Sequence, residues 1–152
     1  MTASLAPEGL LSFRGFRRMG GSSVIQPEAT ITEQAPSWLD AARECASLVE
    51  LERDWDSYGG RPVHQSIAQA ATNLILQLGR PGVPSPTVVP TARGGIQLEW
   101  HTSKVDLEIE VISPGRLSAL FEDHENGQQW EREFDSDLTL LVKAVDRLAE
   151  AR

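Results

Sequence analysis

The sequence predicts an α+β domain: two helices, then an antiparallel meander of four or five strands, then a C-terminal helix packed on one sheet face. Two observations predict it. Apolar residues recur at helical spacing before Gly79 and after Ser136, and apolar and polar residues alternate strictly in the stretch between. Gly94-Gly95, Pro114-Gly115 and Asn126-Gly127 then cut that stretch at hairpin spacing.

Residues 1–35 read as a flexible N-terminal arm ahead of a single α+β domain over residues 36–152. Gly20-Gly21-Ser22-Ser23 breaks the arm, Phe13-Arg14-Gly15-Phe16-Arg17-Arg18 is a small basic-aromatic cluster, and Ala29 to Glu33 fits a short edge strand. Ser37 opens the first helix. Asp40 stands three residues on, as in a capping box with Asp in the place of Glu or Gln. Trp38, Leu39, Ala42, Cys45, Leu48 and Val49 form the apolar stripe, and the helix is expected to end near Asp54. Trp55-Asp56-Ser57-Tyr58-Gly59-Gly60-Arg61-Pro62 stops it, as a helix–helix connection pinned by two buried aromatics or as a binding loop. A second amphipathic helix runs from Val63 to Leu78. Pro86 and Pro90 bracket Thr87-Val88-Val89, which marks an edge strand or extended connector, because proline donates nothing to a ladder.

The central hairpin carries the clearest periodicity. A two-residue loop at Ser103-Lys104 sets Trp100 opposite Leu107, Leu98 opposite Ile109 and Ile96 opposite Val111. On the other face it pairs His101 with Asp106, Glu99 with Glu108 and Gln97 with Glu110. A two-residue turn at Asn126-Gly127 would set Asp123 opposite Trp130, Phe121 opposite Arg132, Ala119 opposite Phe134, Glu122 opposite Glu131 and Leu120 opposite Glu133. Ser136 is expected to cap the last helix, with Asp137 in its first turn.

Charge limits the partners. Arg14, Arg17 and Arg18 balance Glu8, Glu28 and Glu33 within residues 1–35, so the whole formal charge of -8 falls on residues 36–152. An acidic body argues against nucleic acid and anionic membranes and suits a basic protein partner. Cys45 is the single cysteine, so the sequence offers neither a disulfide framework nor a cysteine zinc cluster. No apolar run approaches the length of a membrane helix, and the first residues lack a signal-peptide pattern, so the expected location is cytoplasmic.

The candidate partner-binding residues are Glu99, Glu108, Glu110, Glu122, Glu131 and Glu133 on one sheet face, with Asp56 and Tyr58 in the Trp55–Gly60 loop. Carboxylates directly opposite one another are mildly destabilising, a cost that a merely soluble face does not require. A plain solvated face is the alternative. Glu99, His101 and Asp106 could approach one cation, but surface hydrogen-bonded clusters look alike, and no metal or cofactor is assigned. No nucleophile elbow, P-loop, His-Glu-x-x-His or Gly-x-Gly-x-x-Gly motif occurs. Cys45 sits on an apolar stripe, as a buried inert thiol would.

Trp55-Asp56-Ser57-Tyr58-Gly59 and Gly94-Gly95-Ile96-Gln97-Leu98-Glu99-Trp100 resemble a group of small uncharacterised bacterial proteins that share a W-D-x-Y-G turn and a G-G-[IV]-x-L-E-W strand. The resemblance spans about residues 45–111. It implies a bacterial or phage setting and a common fold but no reaction, and it groups Trp55, Asp56, Tyr58, Gly59, Glu99 and Trp100 in one constellation. In it Glu99 would bond the Trp55–Gly60 loop or contact a ligand.

The function expected is a non-enzymatic cytoplasmic binding module of antitoxin, immunity or inhibitor type, using the acidic face. One alternative is a small-ligand protein or enzyme with a site near Asp56, Tyr58, Glu99 and His101. Another is a structural subunit of a bacterial or phage assembly.

Overall fold

The computed structural model describes residues 37–151. The expected arm over residues 1–35, with its basic-aromatic cluster and its edge strand, lies outside the described residues. The rest is an α+β arrangement: helix α1 (Trp38–Ser47) with a following 3₁₀ turn (Leu48–Glu50), helix α2 (Gln65–Leu78), strands β1 (Thr87–Pro90), β2 (Ile96–His101), β3 (Val105–Ser113), β4 (Arg116–Asp123) and β5 (Gln129–Phe134), and helix α3 (Thr139–Glu150). The five strands form one antiparallel meander in chain order. No helix among the described residues is long and apolar enough to cross a membrane.

Local chemistry sets the helix boundaries. Ser37 accepts from the Asp40 amide while the Asp40 carboxylate accepts from the Ser37 amide, so the capping box forms in full. The α-helix ends at Ser47 and tightens into the 3₁₀ turn, short of the Asp54 expected from the sequence. Asp54 itself has φ +65°, which no helix continues through. The last helix also starts later than expected. Ser136 makes no cap. The Asp137 carboxylate instead accepts from the Thr139 amide at 3.0 Å and hydroxyl at 2.6 Å, and the helix begins there.

The β2–β3 register is the one the alternation predicts, from Ile96 opposite Val111 to His101 opposite Asp106. Ile96, Leu98, Trp100, Val105, Leu107, Ile109 and Val111 are all buried, and they join Ala42, Cys45, Ala71, Ile75, Leu78, Leu141, Val145 and Leu148 of the helices in one cluster. Trp38 of α1 lies 5.9 Å from Trp100, ring centroid to centroid. The two indole N–H groups donate to the carbonyls of Val83 and Pro84, which ties the chain entering β1 to the core.

The β4–β5 register corrects the sequence expectation by two residues. Phe121 faces Trp130, Ala119 faces Arg132 and Leu117 faces Phe134. Asn126-Gly127 is not a two-residue turn. It closes a longer loop in which the Asp123 amide donates to the Gln128 carbonyl and the Gly127 amide to the Asp123 carbonyl. Asp123 is the cause. Its side chain is only 1 % exposed and accepts from the Glu125 and Asn126 amides, the Asn126 side chain and the Arg147 guanidinium. A short turn leaves those donors elsewhere. The shift also stacks Phe121 on Trp130 at 5.4 Å.

Truncating Leu107 to Ala is expected to lower the unfolding free energy by about 2–5 kcal/mol, the range for a fully buried leucine. Urea denaturation measures it, and the slope with denaturant should stay unchanged.

Candidate functional site

Strand pairing converts the alternation into a surface lattice. On the face opposite the hydrophobic cluster, three rows cross the strands: Gln97–Glu110–Ser118–Glu133, Glu99–Glu108–Leu120–Glu131 and His101–Asp106–Glu122–Gln129. The two-residue shift corrects two expected contacts: Glu122 faces Gln129 and Leu120 faces Glu131. It also places Leu120, 39 % exposed, between Glu108 and Glu131. A cleft of about 340 Å³ opens along β4 and β5, lined by Leu120, Phe121, Glu122, Gln129, Trp130 and Glu131.

The carboxylates divide by partner. Arg93 pairs with Glu110 at 2.8 Å and Arg116 with Glu133 at 3.1 Å. Glu99, Asp106, Glu108, Glu122 and Glu131 have no Lys or Arg partner among the described residues. Gln97 donates to Glu99 at 2.9 Å and to Glu108 at 3.1 Å, bridging two like charges that face one another. Glu99 therefore does not bond the Trp55–Gly60 loop; it is taken up by Gln97 and by His101 at 3.6 Å.

The third row holds one imidazole, His101, and the β4–β5 loop brings a second, His124, beside it. His101 Nδ1 lies 3.1 Å from Asp106 Oδ1 and His124 Nε2 lies 2.9 Å from Asp106 Oδ2. The hydrogen bond to Asp106 raises the pKa of each imidazole; Glu99 and Glu108 add to the effect on His101, and Glu122 and Asp123 to that on His124. Burial pushes the Asp106 carboxyl up, but the hydrogen bonds from His124 and His101 outweigh it and hold it below the usual range. The raised imidazole values stabilise the fold fully below the unfolded histidine pKa of 6.5, and this contribution is lost as pH rises through the folded values. Ligand-type atoms of Asp106, Glu122 and His124 converge within 4.8 Å, and ion pairing inside the set accounts for that convergence.

The Trp55–Gly60 loop is a second feature, built differently. Asp54 and Ser57 both hold positive φ, +65° and +64°. The Asp54 carboxylate accepts from the Gly59 amide at 2.6 Å, and the Asp56 carboxylate from the Tyr58 and Gly60 amides at 2.9 and 2.8 Å. Those two amides lower the Asp56 pKa. The Trp55 indole donates to the Arg61 carbonyl, and a Cβ on Gly60 would meet Trp55 and Asp56 at 2.8 Å. The Arg61 amide reaches the Ala92 carbonyl at 3.0 Å, docking the loop on the β1–β2 turn. One sequence expectation is overturned: Tyr58 is not buried but 92 % exposed, because the loop spends its bonds on its own backbone and aims the phenol outward.

Asp56 and Tyr58 thus form one group, Glu99 and His101 another, and no hydrogen bond or ion pair among the described residues joins them. An open groove of about 840 Å³ between α1 and α2 is lined by Val49, Pro62, Val63, Ala68 and Thr72 among others, and by none of the predicted site residues. Cys45 is buried, and burial pushes its thiol up to about 12, so it is no nucleophile at neutral pH. Sequence reading missed Leu120 and Asp123 as determinants, and only the observed register reveals them. Nothing in the alternation shows that His124 would reach Asp106.

No protein-family model, curated protein or solved structure matches this chain, so the reading of the site stands on its geometry.

Two substitutions in the loop test its backbone conformation. Gly59→Ala is expected to cost about 1 kcal/mol even though nothing lies within 4 Å of the new Cβ, since the penalty is conformational at φ +86°. Ser57→Gly relieves the same strain and should leave stability unchanged or raised. Thermal unfolding of both variants provides the check.

Proposed function

We propose that this protein is a non-enzymatic, cytoplasmic binding module whose acidic sheet face receives a basic segment of a protein partner. The observation that supports the reading best is the row Glu99–Glu108–Leu120–Glu131: an exposed apolar side chain flanked by carboxylates that lack Lys or Arg partners among the described residues. Like charges facing one another cost a few tenths of a kcal/mol or more in folding, and solubility alone does not need that arrangement. A partner's lysine or arginine suits such a row twice over. Its aliphatic stem lies on Leu120 while its head group meets Glu108, Glu122 or Glu131. The same charge speeds encounter and repels nucleic acid and anionic membrane. Antitoxin, immunity or inhibitor roles are the classes that fit a small acidic module of this kind.

Tyr58 supports a second contact point. A braced loop that holds an aromatic in solvent loses little entropy on binding, and exposed tyrosines of this sort are frequent anchors in interfaces.

An arginine-rich peptide serves as the probe. Its affinity for the wild-type chain should fall steeply with added salt. The double reversal Glu108→Lys, Glu110→Lys should weaken it by roughly tenfold or more. Equal binding by the reversed protein, with its fold intact by circular dichroism, would remove the acidic face from consideration.

A further inference from the structure

One carboxylate on the acidic face is held between two imidazoles. Asp106 of β3 gives one oxygen to His101, at the end of β2, and the other to His124, the first residue of the β4–β5 loop. The surroundings are one-sided. His101 also faces Glu99 at 3.6 Å and Glu108 at 3.9 Å, and His124 faces Glu122 at 3.6 Å and the nearby Asp123. The nearby cations are engaged elsewhere: Lys104 pairs with Glu125 at 3.1 Å, and Arg147 with Asp123 and Glu125 at 2.6 Å each. Protons on the two imidazoles are therefore what changes the charge of this corner near neutral pH.

We propose that His101, Asp106 and His124 form a proton-operated control on the acidic face, which presents its full charge to a basic partner when the imidazoles are neutral and loosens the partner when both are protonated. The inference rests on the reading of the acidic face as the docking surface.

Distance and sign support it. The row His101–Asp106–Glu122–Gln129 lies next to Glu99–Glu108–Leu120–Glu131, two residues along each strand, or roughly 7 Å. That is within the screening length of about 8 Å at physiological salt, so a new positive charge in one row acts on a cation bound in the other. The hydrogen bonds to Asp106, with the surrounding carboxylates, raise both imidazoles above the ordinary histidine value, and histidine is the side chain that changes charge closest to neutral pH. Linkage fixes a second consequence: a cationic partner that favours the neutral imidazoles must expel protons as it binds.

The test uses the full chain and the arginine-rich peptide between about pH 5 and 8. Wild-type affinity should drop roughly three- to tenfold as pH falls through the imidazole titration. Calorimetry in buffers of different ionisation enthalpy should register proton release. His101→Gln with His124→Gln should flatten the profile and abolish the release. A flat wild-type profile with the peptide still bound overturns the proposal, as does an unchanged profile in the double variant. If the peptide binds at no pH, the acidic-face reading fails, and imidazole titration by NMR then judges the unit separately. Both rings should titrate above the ordinary value, and Asp106→Asn should lower both. Ordinary titration, or indifference to Asp106→Asn, overturns it.

Discussion

The structure depends on the cross-strand apolar match between β2 and β3. Ile96, Leu98 and Trp100 meet Val111, Ile109 and Leu107, all of them buried under the helices. A slip of one residue would send this set to solvent and bring Gln97, Glu99, Glu108 and Glu110 into the core, at a cost far above anything their interactions return. Burial therefore dictates which side Gln97, Glu99, Glu108 and Glu110 occupy, though not that the face is acidic. The carboxylates lie side by side because the apolar residues between them have no other arrangement, and Gln97 lessens the strain by bonding Glu99 and Glu108 together.

Asp123 is the second constraint, and a polar one. It occupies an inner-face position of β4, where alternation calls for an apolar side chain, and it is nearly fully buried. A buried carboxylate persists only when its oxygens are satisfied. Arg147 supplies the opposite charge from α3 at 2.6 Å, and the Glu125 and Asn126 amides and the Asn126 side chain donate as well. Arg147 foremost, together with those amides, holds the Asp123 carboxyl below its ordinary range despite burial. The same bonds shape the β4–β5 loop, and the loop delivers His124 to Asp106. An interaction on the core side thus arranges chemistry on the opposite face.

The Trp55–Gly60 loop uses different means. Its order comes from local hydrogen bonds between carboxylates and backbone amides, which is what allows non-glycine residues at positive φ. Gly94, at φ +88°, lets the β1–β2 turn come close to Pro62, where a Cβ would stand 3.0 Å from the Pro62 carbonyl oxygen. Loop and sheet are joined there through the backbone, while the phenol of Tyr58 remains outside. Asp56 and Tyr58 stay on the loop and Glu99 and Trp100 on β2; the contacts between loop and turn run from Arg61 to Ala92 and from Pro62 to Gly94.

Much of this was legible in the residues. Alternation over Ile96–Val111 determined the first hairpin, its register and the side on which Glu99, Glu108 and Glu110 emerge, since a period of two leaves one face apolar and burial chooses it. The Ser37–Asp40 box determined where α1 begins, because capping is a local exchange of hydrogen bonds. Tertiary structure decided what depends on partners remote in sequence. Arg147 lies 24 residues from Asp123, and only their contact shows why Asn126-Gly127 closes a long loop, why Phe121 meets Trp130 and why Leu120 stands among glutamates. The contact of His124 with Asp106 is of the same kind: alternation already sets His101 opposite Asp106, but no periodicity brings in His124, which the β4–β5 loop delivers.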